Sequence, residues 1–235
     1  GDHLFYCFSR SGEVKWTFTT GEIVDAAALL DDRGRVYVAS CDGTAYALER
    51  ETGRELWRFR SHTIEECHAK GVSSFVDWFE GHIAIDRHGT LVIPNDNFHT
   101  YGLDRDTGEK KWEFLTADQT WSSPALDVES DTLFMGTNYF VLKNLFAFDS
   151  TSGRQRWKAG SLGSMVASPL VVGEARDGIV VAAGFDGLVR AFSQTAGKEI
   201  WKFGARDHIY SSPVEAEDGT KIGRASCRER VCHRV

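Results

Sequence analysis

The chain of 235 residues has no uninterrupted run of about 18 apolar residues, so no segment reads as a membrane-spanning helix. It also lacks a basic excess. Twenty-seven Lys and Arg stand against 34 Asp and Glu, and the formal net charge of −7 argues against a nucleic-acid or anionic-membrane surface. Cysteine is sparse: Cys7, Cys41 and Cys67 are scattered and odd in number, no two cysteines are adjacent, and no disulfide framework is implied. No signal peptide is visible, and this excludes nothing, because the chain opens inside a blade at Gly1-Asp2-His3-Leu4-Phe5. What is present is 42% hydrophobic and 12% aromatic with 23 Gly, a composition that suits one all-β body.

A repeat organises that body. Ala47, Gly53 and Trp57 form a frame that returns as Gly102/Gly108/Trp112, Ala147/Gly153/Trp157 and Ala191/Gly197/Trp201, and one residue shorter as Cys7/Gly12/Trp16. The Trp residues are 41, 55, 45 and 44 positions apart, and a period near 44 points to a solenoid or propeller. Within a period, Val36-Tyr37-Val38-Ala39, Thr44-Ala45-Tyr46-Ala47-Leu48 and Glu55-Leu56-Trp57-Arg58-Phe59 are broken by Asp42-Gly43 and Thr52-Gly53. Such runs are strands joined by tight turns, and Ala26–Leu30 with the turn Asp31–Gly34 adds a fourth. Four antiparallel strands per period make a propeller blade. Trp16, Trp57, Trp112, Trp157 and Trp201 carry too much apolar area to leave in water, so each is expected to dock against a neighbouring blade. Gly53, Gly108, Gly153 and Gly197, with the small residue of the frame, leave room for the indole.

The chain divides into a partial blade at 1–18, blades at about 25–59, 80–114, 121–158 and 166–203, and the start of another at 210–220. The long 55-residue step places a 14-residue insertion before Glu80. Residues 221–235 break every pattern, with five basic residues against one acid, and read as a non-native or disordered tail that looks like translated sequencing-adapter read-through. Without them the net charge is −11.

In an antiparallel four-stranded blade, the start of the first strand, the second turn and the end of the fourth strand share one face. The starts are Asp25, Glu80, Trp121, Val166 and Tyr210, which puts two carboxylates beside aromatics at one mouth of the channel. The insertion, with Glu65, Glu66, Cys67, His68, Asp77, Trp78 and Phe79, is expected on the same face, as are Asn95, Asp96 and Asn97 where an Asp-Gly turn belongs. Oxygen ligands and aromatics converging on a concave mouth describe a ligand, Ca²⁺ or peptide site, so Asp25, Asp77, Trp78, Glu80, Asn95, Asp96, Asn97, Trp121 and Tyr210 form the candidate binding set. No catalytic residue is assigned: Ser122, Ser123, Ser211 and Ser212 show no His at a partnered repeat position. No metal centre is assigned either. Adjacent residues such as Glu65-Glu66-Cys67-His68 rarely converge on one ion, and the eight His show no metal spacing.

The frame Ala-x-Asp-x-x-Thr-Gly-x-x-x-Trp, with Ser-Ser-Pro and Asp-Gly around it, resembles the pyrroloquinoline-quinone-type (PQQ-like) propeller repeat over about residues 1–220. Departures are modest: Gly102 for Ala, Glu49 and Ser193 for Asp, Ser152 and Ala196 for Thr. The resemblance implies an all-β propeller fragment of about five four-stranded antiparallel blades. Members usually have seven or eight, so it also implies blades missing at both ends.

Some members are quinoprotein dehydrogenases that hold PQQ and Ca²⁺ on the axis. They bring an adjacent Cys-Cys disulfide, a Trp stacked on the quinone, carboxylate and Asn ligands for Ca²⁺, and a catalytic Asp. Others keep the propeller without cofactor and serve as binding platforms, such as the lipoprotein subunit of the bacterial outer-membrane barrel-assembly machine. Because this chain has no Cys-Cys pair, the expected function is a non-catalytic protein- or ligand-binding platform in the periplasm or cell envelope, without cofactor and with a protein or peptide partner. Membrane association through a missing N-terminus fits the same branch. The localisation rests on the resemblance, and the unpaired cysteines count mildly against an oxidising compartment. The alternatives are a PQQ- and calcium-dependent alcohol or sugar dehydrogenase, and a propeller domain of a larger sensor protein.

Overall fold

Short β-branched and aromatic runs separated by turn residues pair with their sequence neighbours, because a tight turn brings the next strand back at once. A computed structural model of the chain describes residues 2–138, 144–160, 162–173, 177–205, 207–215 and 221–222. Blade one contributes β1 (Leu4–Phe8) and β2 (Val14–Thr19). Blade two is β3 (Leu29–Leu30), β4 (Arg35–Ala39), β5 (Thr44–Glu49) and β6 (Glu55–Arg60), followed by helix α1 (Ile64–Ala69) in the insertion. Blade three is β7 (Ala84–Ile85), β8 (Thr90–Pro94), β9 (His99–Asp104) and β10 (Lys110–Leu115). Blade four is β11 (Ala125–Asp127), β12 (Thr132–Gly136), β13 (Leu145–Asp149) and β14 (Gln155–Ala159). Blade five is β15 (Leu170–Val172), β16 (Ile179–Ala183), β17 (Leu188–Ser193) and β18 (Glu199–Gly204), and blade six shows β19 (Val214–Glu215) with β20 (Lys221–Ile222).

Four sheets are therefore complete four-stranded meanders and two are hairpins, all antiparallel. The first strands are shorter than the pattern suggests. Of Ala26–Leu30, only Leu29 and Leu30 pair with β4, because the lead-in leaves the ladder to close on its own blade's second turn through Cys41 N–H to Ile23 O at 2.9 Å. Of residues 221–235, Lys221 and Ile222 pair with Glu215 and Val214, and 223–235 lie outside the described residues.

The sheets are joined by the indoles. Trp16, Trp57, Trp112 and Trp157 each donate Nε1–H to a carbonyl of the following blade, at Arg50, Arg105, Ser150 and Gln194, over 2.8–3.1 Å. Each ring lies on the glycine of that blade's last turn. A Cβ added to Gly53, Gly108, Gly153 or Gly197 would come within 2.5–2.6 Å of the Trp of the preceding blade. Those glycines hold φ of +64° to +73°, a region that L side chains avoid, so the turn and the docking both ask for glycine. Between blades two and three, Tyr37, Ala45, Ala47 and Trp57 pack with Phe79, Leu91, Ile93, Tyr101 and Leu103 as one apolar cluster. Each fully buried large side chain there contributes about 1.5–3 kcal/mol.

Candidate functional site at the axial junctions

Two backbone contacts recur at the axis and decide which side chains meet there. The first residue of each second turn, at Cys41, Asp96, Asn138 and Phe185, donates N–H to the carbonyl two residues before its own blade's start, at Ile23, Trp78, Gln119 and Ser164 (2.9–3.0 Å). The residue before the next blade's start then donates back to the residue before that turn: Phe79 to Ser40, Met165 to Thr137 and Ile209 to Gly184. A blade start, a turn head and the following start are drawn together by these bonds, and at blade three the indole N–H of Trp121 on Asp96 Oδ2 makes the second link. Along the chain the junctions read Asp25–Cys41–Glu80, Glu80–Asp96–Trp121, Trp121–Asn138–Val166 and Val166–Phe185–Tyr210, so the axis runs from acidic to aromatic.

The acidic end is tightly grouped. One ligand atom from each of Asp25, Cys41 and Glu80 lies within 4.8 Å of the others. Burial, followed by the charges of Asp25, Glu80 and Asp96, pushes the Cys41 thiol up to about 12. Burial and then the Asp25 charge raise the Glu80 carboxyl. Asp96 is 1% exposed, and burial followed by the Glu80 charge pushes it up to about 8, while Trp121 and the Thr120 amide pull the other way. Its Oδ2 accepts the Trp121 indole N–H at 3.1 Å, and its Oδ1 makes no hydrogen bond of normal geometry among the described residues. At the aromatic end, the Phe185 and Tyr210 ring centroids are 4.4 Å apart, and His208 stacks on Phe185 at 5.2 Å. Trp78, Trp121 and Tyr210 are 42%, 39% and 49% exposed.

The structure therefore brings Asp25, Glu80, Asp96, Trp121 and Tyr210 to consecutive junctions, and it gives Asn95, Asn97 and Asp77 other partners. In blade two, Ser40 Oγ and Asp42 Oδ1 accept the backbone N–H groups of Asp42 and Thr44 and so shape the second turn. In blade three, Asn95 Oδ1 and Asn97 Oδ1 do the same for Asn97 and His99. Their amide nitrogens hold the insertion: Asn95 Nδ2 donates to Asp77 O (2.8 Å), and Asn97 Nδ2 donates to His62 O (2.9 Å) and Tyr101 Oη (2.8 Å). Asp77 pairs with Arg60 at 2.5 Å. The insertion itself is locked, with Thr63 and Glu66 forming a capping box on α1 and Cys67 buried against Asn97 O.

Two residues escape a reading of the sequence. Cys41 stands 16 residues before Trp57, as Asp96 stands before Trp112, so repeat phase alone equates them. The second is His82, two residues after a blade start as Ser123 is, whose Nδ1 lies 2.5 Å from Ser123 Oγ. A His does stand beside an axial Ser, contrary to the sequence expectation, because blade docking sets position +2 of one start against +2 of the next. The same tier continues as Ser123 N–H to Ser168 Oγ and Ser168 N–H to Ser212 Oγ, both 2.9 Å, which is an inter-blade clasp.

The family described as outer membrane protein assembly factor BamB, built of PQQ-like repeats, matches residues 2–161 and 143–222. The chain is 28% identical over 139 residues to the tetrathionate hydrolase of Acidithiobacillus ferrooxidans, covering 53% of this chain and 26% of that protein. It is 22% identical to the quinohemoprotein alcohol dehydrogenase of Comamonas testosteroni, covering 63% of this chain and 29% of that protein. Its fold matches the crystal structure of BamB from Moraxella catarrhalis with a TM-score of 0.73 at 15% identity, over 95% of this chain and 64% of that one. The chain thus spans little more than a quarter of the curated relatives it matches.

Proposed function

The chain belongs to the PQQ-like propeller family described as outer membrane protein assembly factor BamB, and from that premise we propose that it is a non-catalytic binding platform of the bacterial cell envelope. Its partner is a protein or peptide received at the channel end. The observation that carries this reading is the set of partly exposed rings Trp78, Trp121 and Tyr210, presented by successive blades at the axial junctions. Trp and Tyr supply large contact area with few rotatable bonds, which is what anchors a protein partner.

A second reading, a PQQ- and calcium-dependent dehydrogenase, is favoured by the resemblance to the quinohemoprotein alcohol dehydrogenase. The residues in hand do not fit the quinone. Cys7 in β1, Cys41 in the turn between β4 and β5 and Cys67 in α1 are free and lie apart along the chain, so no adjacent disulfide walls a planar cofactor. The amides of Asn95 and Asn97 are committed to backbone and Tyr101 oxygens, and the Trp121 indole N–H is committed to Asp96. We therefore derive no quinone chemistry.

A photo-crosslinking residue at Trp78 or Trp121 is expected to capture one discrete envelope protein, while the same probe at the outer-rim Lys198 captures none. Trp121→Ala with Tyr210→Ala should abolish that capture with the thermal transition retained. Dye reduction on adding PQQ and Ca²⁺ with an alcohol or a sugar would overturn the reading.

A further inference from the structure

We infer that the junction of blades two and three is a binding site for a thiophilic divalent cation of the Zn²⁺ class, held by Cys41 Sγ and the carboxylates of Asp25 and Glu80 with Asp96 flanking. The three ligand atoms fall within 4.8 Å of one another although they come from two blade lead-ins and a turn, spread over 56 residues of chain. Bonds of 2.0–2.3 Å at tetrahedral angles place ligand atoms about 3.5 Å apart, so side-chain rotation of roughly 1 Å closes the site without backbone movement. The backbone is already fixed by the bonds from Cys41 to Ile23 and from Phe79 to Ser40.

Exposed acids often group without purpose, but this group differs in two respects. Among the described residues, no Lys, Arg or His lies within ion-pairing distance of Asp25, Glu80 or Asp96, whereas Asp77, Asp131 and Asp149 each have an Arg. Second, the flanking Asp96 is 99% buried yet its Oδ1 has no hydrogen bond of normal geometry among the described residues, a costly state that a cation beside Glu80 relieves. Crowding of negative groups around a buried thiol is the electrostatic complement of a bound dication. The thiolate sets the class, since a soft ligand selects Zn²⁺ over Ca²⁺ or Mg²⁺, which take oxygen alone. Three protein ligands leave a fourth position for water, for Asp96 or for a partner's side chain.

The test uses Co²⁺ as the spectroscopic probe on the purified chain. The expected result is one equivalent bound with a thiolate-to-cobalt charge-transfer band, displaced by Zn²⁺ and not by a large excess of Ca²⁺. Cys41→Ser should remove the band and weaken binding roughly 100-fold or more, with the metal-free thermal transition unchanged. Glu80→Gln should weaken binding while keeping the band. A combined Cys7→Ser, Cys67→Ser, Cys227→Ser and Cys232→Ser chain should keep the band as well. No band, a band that survives Cys41→Ser, or equal displacement by Ca²⁺ would overturn the assignment. The partner reading does not enter this experiment, so either can fail alone.

Discussion

Ala47, Ala147 and Ala191 face Trp57, Trp157 and Trp201 across the last hairpin of their blades, and Gly102 holds that place opposite Trp112. A Cβ on Gly102 would lie 2.0 Å from the Trp112 ring, so that indole has settled into the space an alanine methyl occupies elsewhere. Gly102→Ala restores the repeat consensus yet is predicted to destabilise by about 1–3 kcal/mol, seen as a lower urea midpoint at unchanged slope. Glu113 provides a second residue-scale prediction. Partial burial pushes its carboxyl up, but hydrogen bonds from Lys110 and His62 more than reverse this and leave it at about 2. A depressed carboxylate contributes stability above its unfolded value near 4.3 and loses that contribution as pH falls through the folded value. Glu113→Gln should therefore cost about 1 kcal/mol or less at pH 7, given the solvent around it, and the gap to the parent chain should close between about pH 4.5 and 2. Urea melts across that range measure it.

At the scale of the element, the second turn of blade three shows where sequence reading succeeds and where it stops. The turn itself was legible because spacing from Trp112 fixes it, but its polar residues read as ligand oxygens when Asn95 and Asn97 replace Ser40 and Asp42 as turn formers. The added amide donors have no counterpart in blade two, and their target, the insertion, is itself unique to this junction. Asn97→Asp keeps an acceptor for His99 N–H and removes the donors to His62 and Tyr101. Asn97→Ala removes both. Amide exchange at 62–72 should accelerate about 10- to 100-fold in both variants, with His99 N–H losing protection only in Asn97→Ala. Uniform acceleration across blade three in both would mean that the amide does not specifically hold the insertion.

Over the whole molecule, strand order and blade boundaries were legible because hydrophobic period and turn chemistry are local, and five in-phase Trp residues repeat them. The axial junctions were only half legible. Asp25 and Glu80 stand out at blade starts, but Cys41 and His82 acquire meaning only when one contact within a blade and one between blades set the register, and no local pattern encodes those. All of it rests on each indole seating on the glycine of the next blade. The most direct measurement is a double-mutant cycle between Trp57 and Gly108, 51 residues apart, with Trp57 and Gly53 as control. The Cβ of Gly108→Ala clashes only while the indole is present, so the account predicts a coupling of about 1–3 kcal/mol for that pair. Additivity within about 0.5 kcal/mol is predicted for Trp57 with Gly53, whose glycine seats Trp16 instead. Additivity at Trp57–Gly108, or coupling at Trp57–Gly53 in its place, would contradict it.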